Sequence, residues 1–238
     1  VRQHGRTHYY GNNPERLGGP GQVYDHDPAA YQITVHLPGA ATPHWLKDAI
    51  IYQIFVDRFY NPDGRITCPP KDSLIHPHWD ATPFYVRDTR TGAIYAYDFF
   101  GGNLRGVMAK LPYLRELGVT AIYFNPIFRS PSNHKYDTGD YKDIDPMFGD
   151  NALFAELCAR AGEMGMKVIL DGVFSHTGSD SRYFNREGTY PDLGAYQSQD
   201  SPYYRWFTFT RWPDEYESWW GIGTLPNVRE LEPSYVDF

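Results

Sequence analysis

The chain has 238 residues, with 22 basic and 29 acidic side chains and a formal net charge of −7. Apolar residues make up 41% of it and aromatic residues 17%, which suits a packed core and argues against disorder. It has no block of Lys and Arg to dock on nucleic-acid phosphates, and no apolar run approaches the roughly 18 residues of a membrane-spanning helix, so neither nucleic acid nor membrane is an expected partner.

Residues 1–43 read as the end of a preceding unit. One alternating strand is predicted from Tyr31 to Leu37, with Ile33, Val35 and Leu37 on one face. A single strand cannot bury its own face, and this stretch offers it no partner. Pro38, Gly39 and Pro43 mark a boundary near residue 43. The run Ala49 to Val56 is nearly all apolar, as in a strand covered on both faces. Residues 60–100 form a long excursion rich in Pro and aromatic residues. Leu104, Val107, Leu111, Leu114 and Leu117 then recur at helical spacing. Asn103 is placed to cap this helix and Gly118 to stop it, while Pro112 predicts a kink or a restart.

Val119 to Phe124 is the second buried strand, and a loop runs from Asn125 to Asp150. The next helix turns Leu153, Phe154, Leu157, Cys158, Ala161 and Met164 inward. "KVILDGVF" (167–174) is the third predicted strand. Strand, helix, strand, helix, strand is the rhythm of an α/β fold with parallel strands and right-handed crossovers. Sites in such folds form at the carboxyl ends of the strands. Residues 177–238 lose the rhythm and read as an inserted subdomain. The three strands are fewer than the eight a closed barrel needs, and a small complete α/β domain with a C-terminal extension is the alternative. Cys68 and Cys158 fit neither a disulfide framework nor a metal knuckle. The chain begins at Val1 with no recognisable signal peptide, so extracellular and cytoplasmic locations both stay open.

The strand-end residues are Asp57, Arg58, Asn125, Asp171 and His176, and the loop 132–146 adds His134, Tyr136, Asp137, Asp140, Asp143 and Asp145. Polar groups converging beside an aromatic ring suit a sugar, whose hydroxyls take hydrogen bonds and whose C–H face stacks. Each residue alone also has a structural explanation, as a cap, turn or buried histidine. The Asp run reads equally as a solvated loop or a cation loop, and as a metal-hydrolase site it would need ligands converging from several segments. It lacks the EF-hand spacing. The aromatics from Tyr203 to Gly221 fit core packing or sugar stacking. Trp219 and Trp220 are adjacent, so one points outward if the segment is extended.

Six stretches carry a resemblance: "AIIYQIFVDRF" (49–59), "FFGGNLRGV" (99–107), "LPYLRELGVTAIYFNPIF" (111–128), "SNHKYDTGDYKDIDPMFGD" (132–150), "DGVFSHTG" (171–178) and "WWGIGTLPNV" (219–228). Together they resemble the α-amylase family of glycoside hydrolases, in the branch of neopullulanase, cyclomaltodextrinase and pullulan-degrading enzymes. The resemblance implies the first three βα units of a (β/α)8 barrel over 44–176, an inserted domain over 177–238, and the end of a β-sandwich domain over 1–43. It implies retaining hydrolysis of α-1,4 or α-1,6 bonds in starch, pullulan or cyclodextrins, with two carboxylates roughly 5–5.5 Å apart. By the same matching Tyr136 stacks on the sugar at subsite −1, and His134 and Asp137 flank it. Asp171 organises the site and His176 bonds sugar hydroxyls. Asn61, Asp63, Gly101 and Asn103 fall where a calcium loop occurs, although relatives often carry Asp at the position of Asn103. Ser175 replaces the asparagine common before the histidine. No organic cofactor is implied.

In that family the nucleophilic Asp follows the fourth barrel strand and the acid Glu follows the fifth. Neither position falls within these 238 residues, so no catalytic residue is assigned, Asp171 is not the nucleophile, and the chain alone is expected to be inactive. A transglycosylase would share this part of the barrel, and a carbohydrate-binding module without chemistry would keep Tyr136 and His176. The expected partners are α-glucan oligosaccharides or polysaccharides, and the resemblance implies homodimers of the parent protein.

Overall fold

The computed structural model describes residues 1–238 apart from 38, 40, 72 and 93, and of Tyr95 the backbone only. The chain forms two compact units, Val1–Asp48 and Ala49–Phe238. In the first, Arg2–Gln3 pairs antiparallel with Arg6–Thr7, and Tyr9–Gly11 with Gln22–Tyr24. The expected strand from Tyr31 to Leu37 does not form, and Ile33, Val35 and Leu37 are exposed. Without a neighbour its backbone groups gain no ladder bonds and its apolar face gains no cover. Pro38 lies outside the described residues. Pro43 leads into a single helical turn, His44–Lys47.

The second unit is built on three parallel strands, β1 (Ile51–Ile54), β2 (Ala121–Phe124) and β5 (Lys167–Leu170). β2 lies in the centre, with Ala121 opposite Ile51 on one side and Lys167 on the other. The connecting helices are α1 (Leu104–Glu116) and α2 (Asn151–Glu163). Ile54, Ile122 and Phe124 pack with Leu104, Val107, Leu111, Leu114, Leu157 and Ala161 in one buried cluster. This is an α/β fold, as the alternation of periods predicts.

β1 is covered on one face only, which corrects the expectation from its apolar run. Ile51 is 48% exposed and Gln53 is also exposed, on the face that carries no helix. Asn103 caps α1 by accepting from the Gly106 amide at 2.8 Å. Asp150 does the same for α2 through the Leu153 amide. α1 runs through Pro112 as one helix rather than restarting. Leu117 lies past its last turn and is exposed, not inward-facing. Leu157 and Ala161 form the buried stripe of α2, with Leu153, Phe154, Cys158 and Met164 half-buried at its margins. Both cysteines are free.

The connection after β2 is more structured than a loop. β3 (Phe128–Arg129) pairs antiparallel with β4 (Asp140–Ile144), and their register shifts within the pair. Beyond β5 the chain builds a second core from Tyr183, Phe184, Ala195, Trp206, Phe207 and Val228, with Tyr141 packed against it from β4. Within this segment β6 (Phe209–Arg211) pairs with β7 (Glu215–Tyr216).

Candidate functional site

The carboxyl ends of the three strands place polar side chains next to one another. The amides of Asn125 and Asp171 donate to the carbonyls of Ile54 and Phe124, at 3.0 and 3.1 Å, so the pairing continues one residue past each strand. Gln53 donates through Nε2 to Oδ1 of Asn125 at 2.9 Å. Tyr136 enters from the segment between β3 and β4, and its hydroxyl donates to Oδ2 of Asp171 at 2.8 Å. Asn125 approaches the same hydroxyl at 3.4 Å. Burial, and after it the bond to Asp171, pushes the Tyr136 phenol up to about 12, so it stays a donor at neutral pH.

His176 is 4% exposed and bonds the Tyr136 carbonyl through Nε2 at 3.1 Å. Its Nδ1 lies 3.0 Å from the Ser175 hydroxyl. A carbonyl can only accept, so Nε2 carries the proton and Nδ1 accepts from Ser175. Burial pushes the imidazole below its ordinary value, against the opposing pull of the Tyr136 carbonyl and Asp137. Both ring nitrogens are thus engaged within the chain, where the resemblance has this histidine reaching sugar hydroxyls. Ser175 is exposed, so its hydroxyl is the partner a sugar could most readily replace.

His134 lies beside Tyr136, with ring centres 6.0 Å apart, and its Nδ1 accepts from the Tyr136 amide at 3.1 Å. Burial pushes its pKa down while Asp137 pulls it up, with a net lowering. Asp137 accepts from the hydroxyls of Ser130 and Ser132. Lys135, between the two site residues, turns the other way and is fully buried on Asp145 and the Ser130 carbonyl, each at 2.8 Å. The structure therefore brings together His134, Tyr136, Asp171 and His176.

The other strand-end candidates do different work. Asp57 accepts the amides of Phe100 and Gly101. Arg58 donates to Asp98 at 2.9 Å. The Asp run disperses: Asp140 meets Arg182 and Tyr183, Asp145 meets Lys135, and Asp143 is exposed. Among the described residues no group of three His, Cys, Asp or Glu side chains is arranged to hold a metal, so the Asp run does not converge into the ligand set that the metal-hydrolase reading needs.

The proposed calcium loop comes together only in part. Asn61 donates through Nδ2 to the carbonyls of Arg65 and Gly101, each at 2.8 Å, and accepts the amides of Asp63 and Gly64 at 3.1 Å. Asn103 spends its side-chain oxygen on the cap of α1, and the Asp63 side chain is exposed. Calcium takes six to eight oxygens. Here N–H groups meet the side-chain oxygens of Asn61 and Asn103 and the Gly101 carbonyl, so the set as folded is a backbone clamp that would take a cation only with the Asn61 amide turned over.

Two further features adjoin the site, and only the first lay outside sequence reasoning. A cavity of about 800 Å³ adjoins the site and is lined by Tyr97, His134, Asp137, Asp180, Ile222 and Leu225 among others. Tyr136, Asp171 and His176 are not in its lining. Asp180 is pushed up to about 7 by burial first, then by the charges of Asp137 and Glu187. Its only signal in the sequence is its place four residues after His176. The second feature is Trp219, whose ring lies 5.3 Å from that of His176.

Residues 53–230 match the family model described as "Alpha amylase, catalytic domain". An amylopullulanase of Thermoanaerobacterium saccharolyticum is 44% identical over 250 residues, covering 96% of this chain and 19% of that protein. Neopullulanase 2 of Thermoactinomyces vulgaris is 44% identical over 206 residues, covering 83% and 31%. Among solved structures, the type III pullulan hydrolase from Thermococcus kodakarensis superposes with a TM-score of 0.69 at 29% identity, over 95% of this chain and 38% of that one. The chain thus spans less than a third of either curated relative.

Proposed function

The chain belongs to the α-amylase family, and from that premise we propose that it supplies the glucose-binding end of an α-glucan hydrolase site. Tyr136 offers its ring to the C–H face of the bound glucosyl unit. His134 and His176 present neutral imidazoles to the sugar's hydroxyls, and Ser175 yields its bond to His176 when a hydroxyl arrives. Asp171 acts as a positioning residue that holds the Tyr136 ring in place through the phenol. The observation that carries this reading is the 2.8 Å bond between Tyr136 and Asp171 together with the 3.1 Å bond between His176 and the Tyr136 carbonyl. They join two separate sequence segments, 132–150 and 171–178, at the carboxyl ends of parallel strands, where sites in such folds lie.

In this reading the three βα units are the first part of a (β/α)8 barrel, residues 177–238 are the domain inserted after its third strand, and residues 1–43 end a β-sandwich. The substrate class is an α-glucan such as pullulan, in keeping with the names of the relatives, or a cyclodextrin. The chemistry is retaining hydrolysis, in which one carboxylate attacks the anomeric carbon and a carboxylic acid protonates the leaving oxygen. Neither role falls to a residue of this chain. The part played here is to hold the ring and help distort it toward the oxocarbenium-like transition state. A calcium ion near Asn61 would require that side-chain amide to turn over, and elemental analysis of the purified protein tests for it.

Calorimetric titration with maltotriose tests the sugar assignment. Saturable binding is expected, weakened about tenfold or more by Tyr136→Ala. Absence of binding, or equal binding by the variant, overturns it.

A further inference from the structure

Trp220 is 85% exposed, although burying an aromatic ring of its size is among the larger apolar gains open to a side chain. Its backbone sits at φ 51° and ψ 27°, the left-handed region that residues with a Cβ rarely adopt. A tight turn enforces this conformation. The Trp219 amide donates to the Leu225 carbonyl at 2.9 Å, Gly221 to Ser218 at 3.1 Å, and Leu225 to Ile222 at 2.8 Å. The turn lays the Trp220 indole flat on Trp219, with ring centres 4.4 Å apart and planes 7° from parallel. Trp219 in turn lies 5.3 Å from the His176 ring, at 36°. The three rings form a column that starts on a residue of the site and ends in solvent. The same turn continues into Ile222 and Leu225, which line the cavity shared with His134 and Asp137.

The structure holds one face of Trp220 against Trp219 and leaves it otherwise open, at the expense of an unfavoured backbone conformation. Such outliers persist only where the surroundings impose them, and they gather at binding and switching sites. We propose that Trp220 is a stacking platform for a glucan chain, binding glucosyl units beyond the one held at Tyr136 and His176. The proposal rests on the glucan reading of the site and extends it outward. The column's root on His176 and the turn's share of the cavity wall favour a sugar chain continuing from the site, and a rigid open indole matches the apolar face of a pyranose.

The test compares maltose with maltohexaose by calorimetry, using the protein and its Trp220→Ala and Trp220→Tyr variants. Trp220 is exposed, and alanine and tyrosine each carry the same single Cβ into the left-handed backbone, so neither variant adds strain and both should fold. We expect Trp220→Ala to weaken maltohexaose binding about tenfold, or about 1.4 kcal/mol, to leave maltose within about twofold, and Trp220→Tyr to recover most of the loss. Unchanged maltohexaose affinity in Trp220→Ala, or an equal loss for both sugars, overturns the platform while leaving the site at Tyr136 intact. If neither sugar binds the unaltered protein, the glucan reading itself fails. A change in sedimentation without a change in sugar affinity would assign the surface to a second copy of the chain and overturn the proposal.

Discussion

The hydroxyl of Tyr136 donates to Asp171 across 2.8 Å, which ties the segment between β3 and β4 to the end of β5. The bond fixes where the aromatic ring stands relative to the strand ends. Tyr136→Phe keeps the ring and removes the donor. We expect it to cost about 0.5–1.5 kcal/mol in urea unfolding and to leave maltotriose affinity within a few-fold. Because the phenol is pushed up to about 12, the variant should also lose one tyrosine from the phase near 12 of an alkaline absorbance titration. A loss from the phase near 10 would mean that the phenol is free of Asp171.

Asp180 should make stability fall as pH rises through the acid range. Its folded value of about 7 stands above its ordinary 3.8, with burial the first cause and the charges of Asp137 and Glu187 the next. Between those values the folded protein holds a proton that the unfolded chain releases, so this contribution is full below about pH 4 and lost by about pH 7. Asp180→Asn removes the titration. It is expected to be more stable than the unaltered protein at pH 8, by of order 1–3 kcal/mol, and close to equal at pH 4. Urea melts at the two pH values check the difference, and a constant offset between the proteins would contradict the burial of the carboxyl.

Two helical glycines should answer oppositely to alanine. Gly106, in the first turn of α1, would place a Cβ 1.8 Å from the Tyr60 carbonyl oxygen. That carbonyl also accepts the Asn103 amide at 3.1 Å, so it cannot retreat without loosening the capped end of the helix. The helical gain of about 1 kcal/mol is outweighed, and Gly106→Ala should destabilise by about 1–3 kcal/mol. Gly162 in α2 has no atom within 4 Å of such a Cβ, so Gly162→Ala should stabilise by about 0.5–1 kcal/mol. Thermal melts of the pair check both signs.

Local patterns carried much of the fold. The spacing of Leu104, Val107, Leu111 and Leu114 gives the buried face of α1, and Asn103 is the cap that a side-chain oxygen before an apolar period predicts. What failed depends on contacts distant in sequence. An apolar run cannot say whether both faces of β1 are covered, and Ile51 is open because both helices pack on the other face. Alternation over Tyr31–Leu37 needs a partner strand to become a strand. For the site, position at a strand end or in the loop 132–146 made Tyr136, Asp171 and His176 candidates for a sugar pocket but left a structural role for each equally open, and the resemblance chose between them. Lys135 was invisible because a lysine in a polar loop reads as solvated, and its burial follows from an acidic partner ten residues on, Asp145.

That buried pair gives a prediction in which two changes should cost less than their sum. Lys135 is 0% exposed, takes φ 61°, and places its ammonium 2.8 Å from Asp145, between the rings of Phe99 and Phe148. Asp145 also accepts the amides of Ser130 and Met147, so the pair anchors the segment whose neighbouring residues, His134 and Tyr136, face the site. Lys135→Met leaves a buried carboxylate without its cation and should cost about 3–5 kcal/mol. Adding Asp145→Asn removes the stranded charge and keeps an oxygen for one of the two amides, which go to different carboxylate oxygens. The double variant should therefore recover part of that loss, with a coupling of about 1–3 kcal/mol in a double-mutant cycle by urea unfolding. Sugar affinity should follow the same order, weakest in Lys135→Met and partly restored in the double variant, because the position of Tyr136 depends on what lies beneath its neighbour. Additive costs would mean that the ammonium and the carboxylate are each satisfied independently, and that the segment is held by its backbone bonds alone.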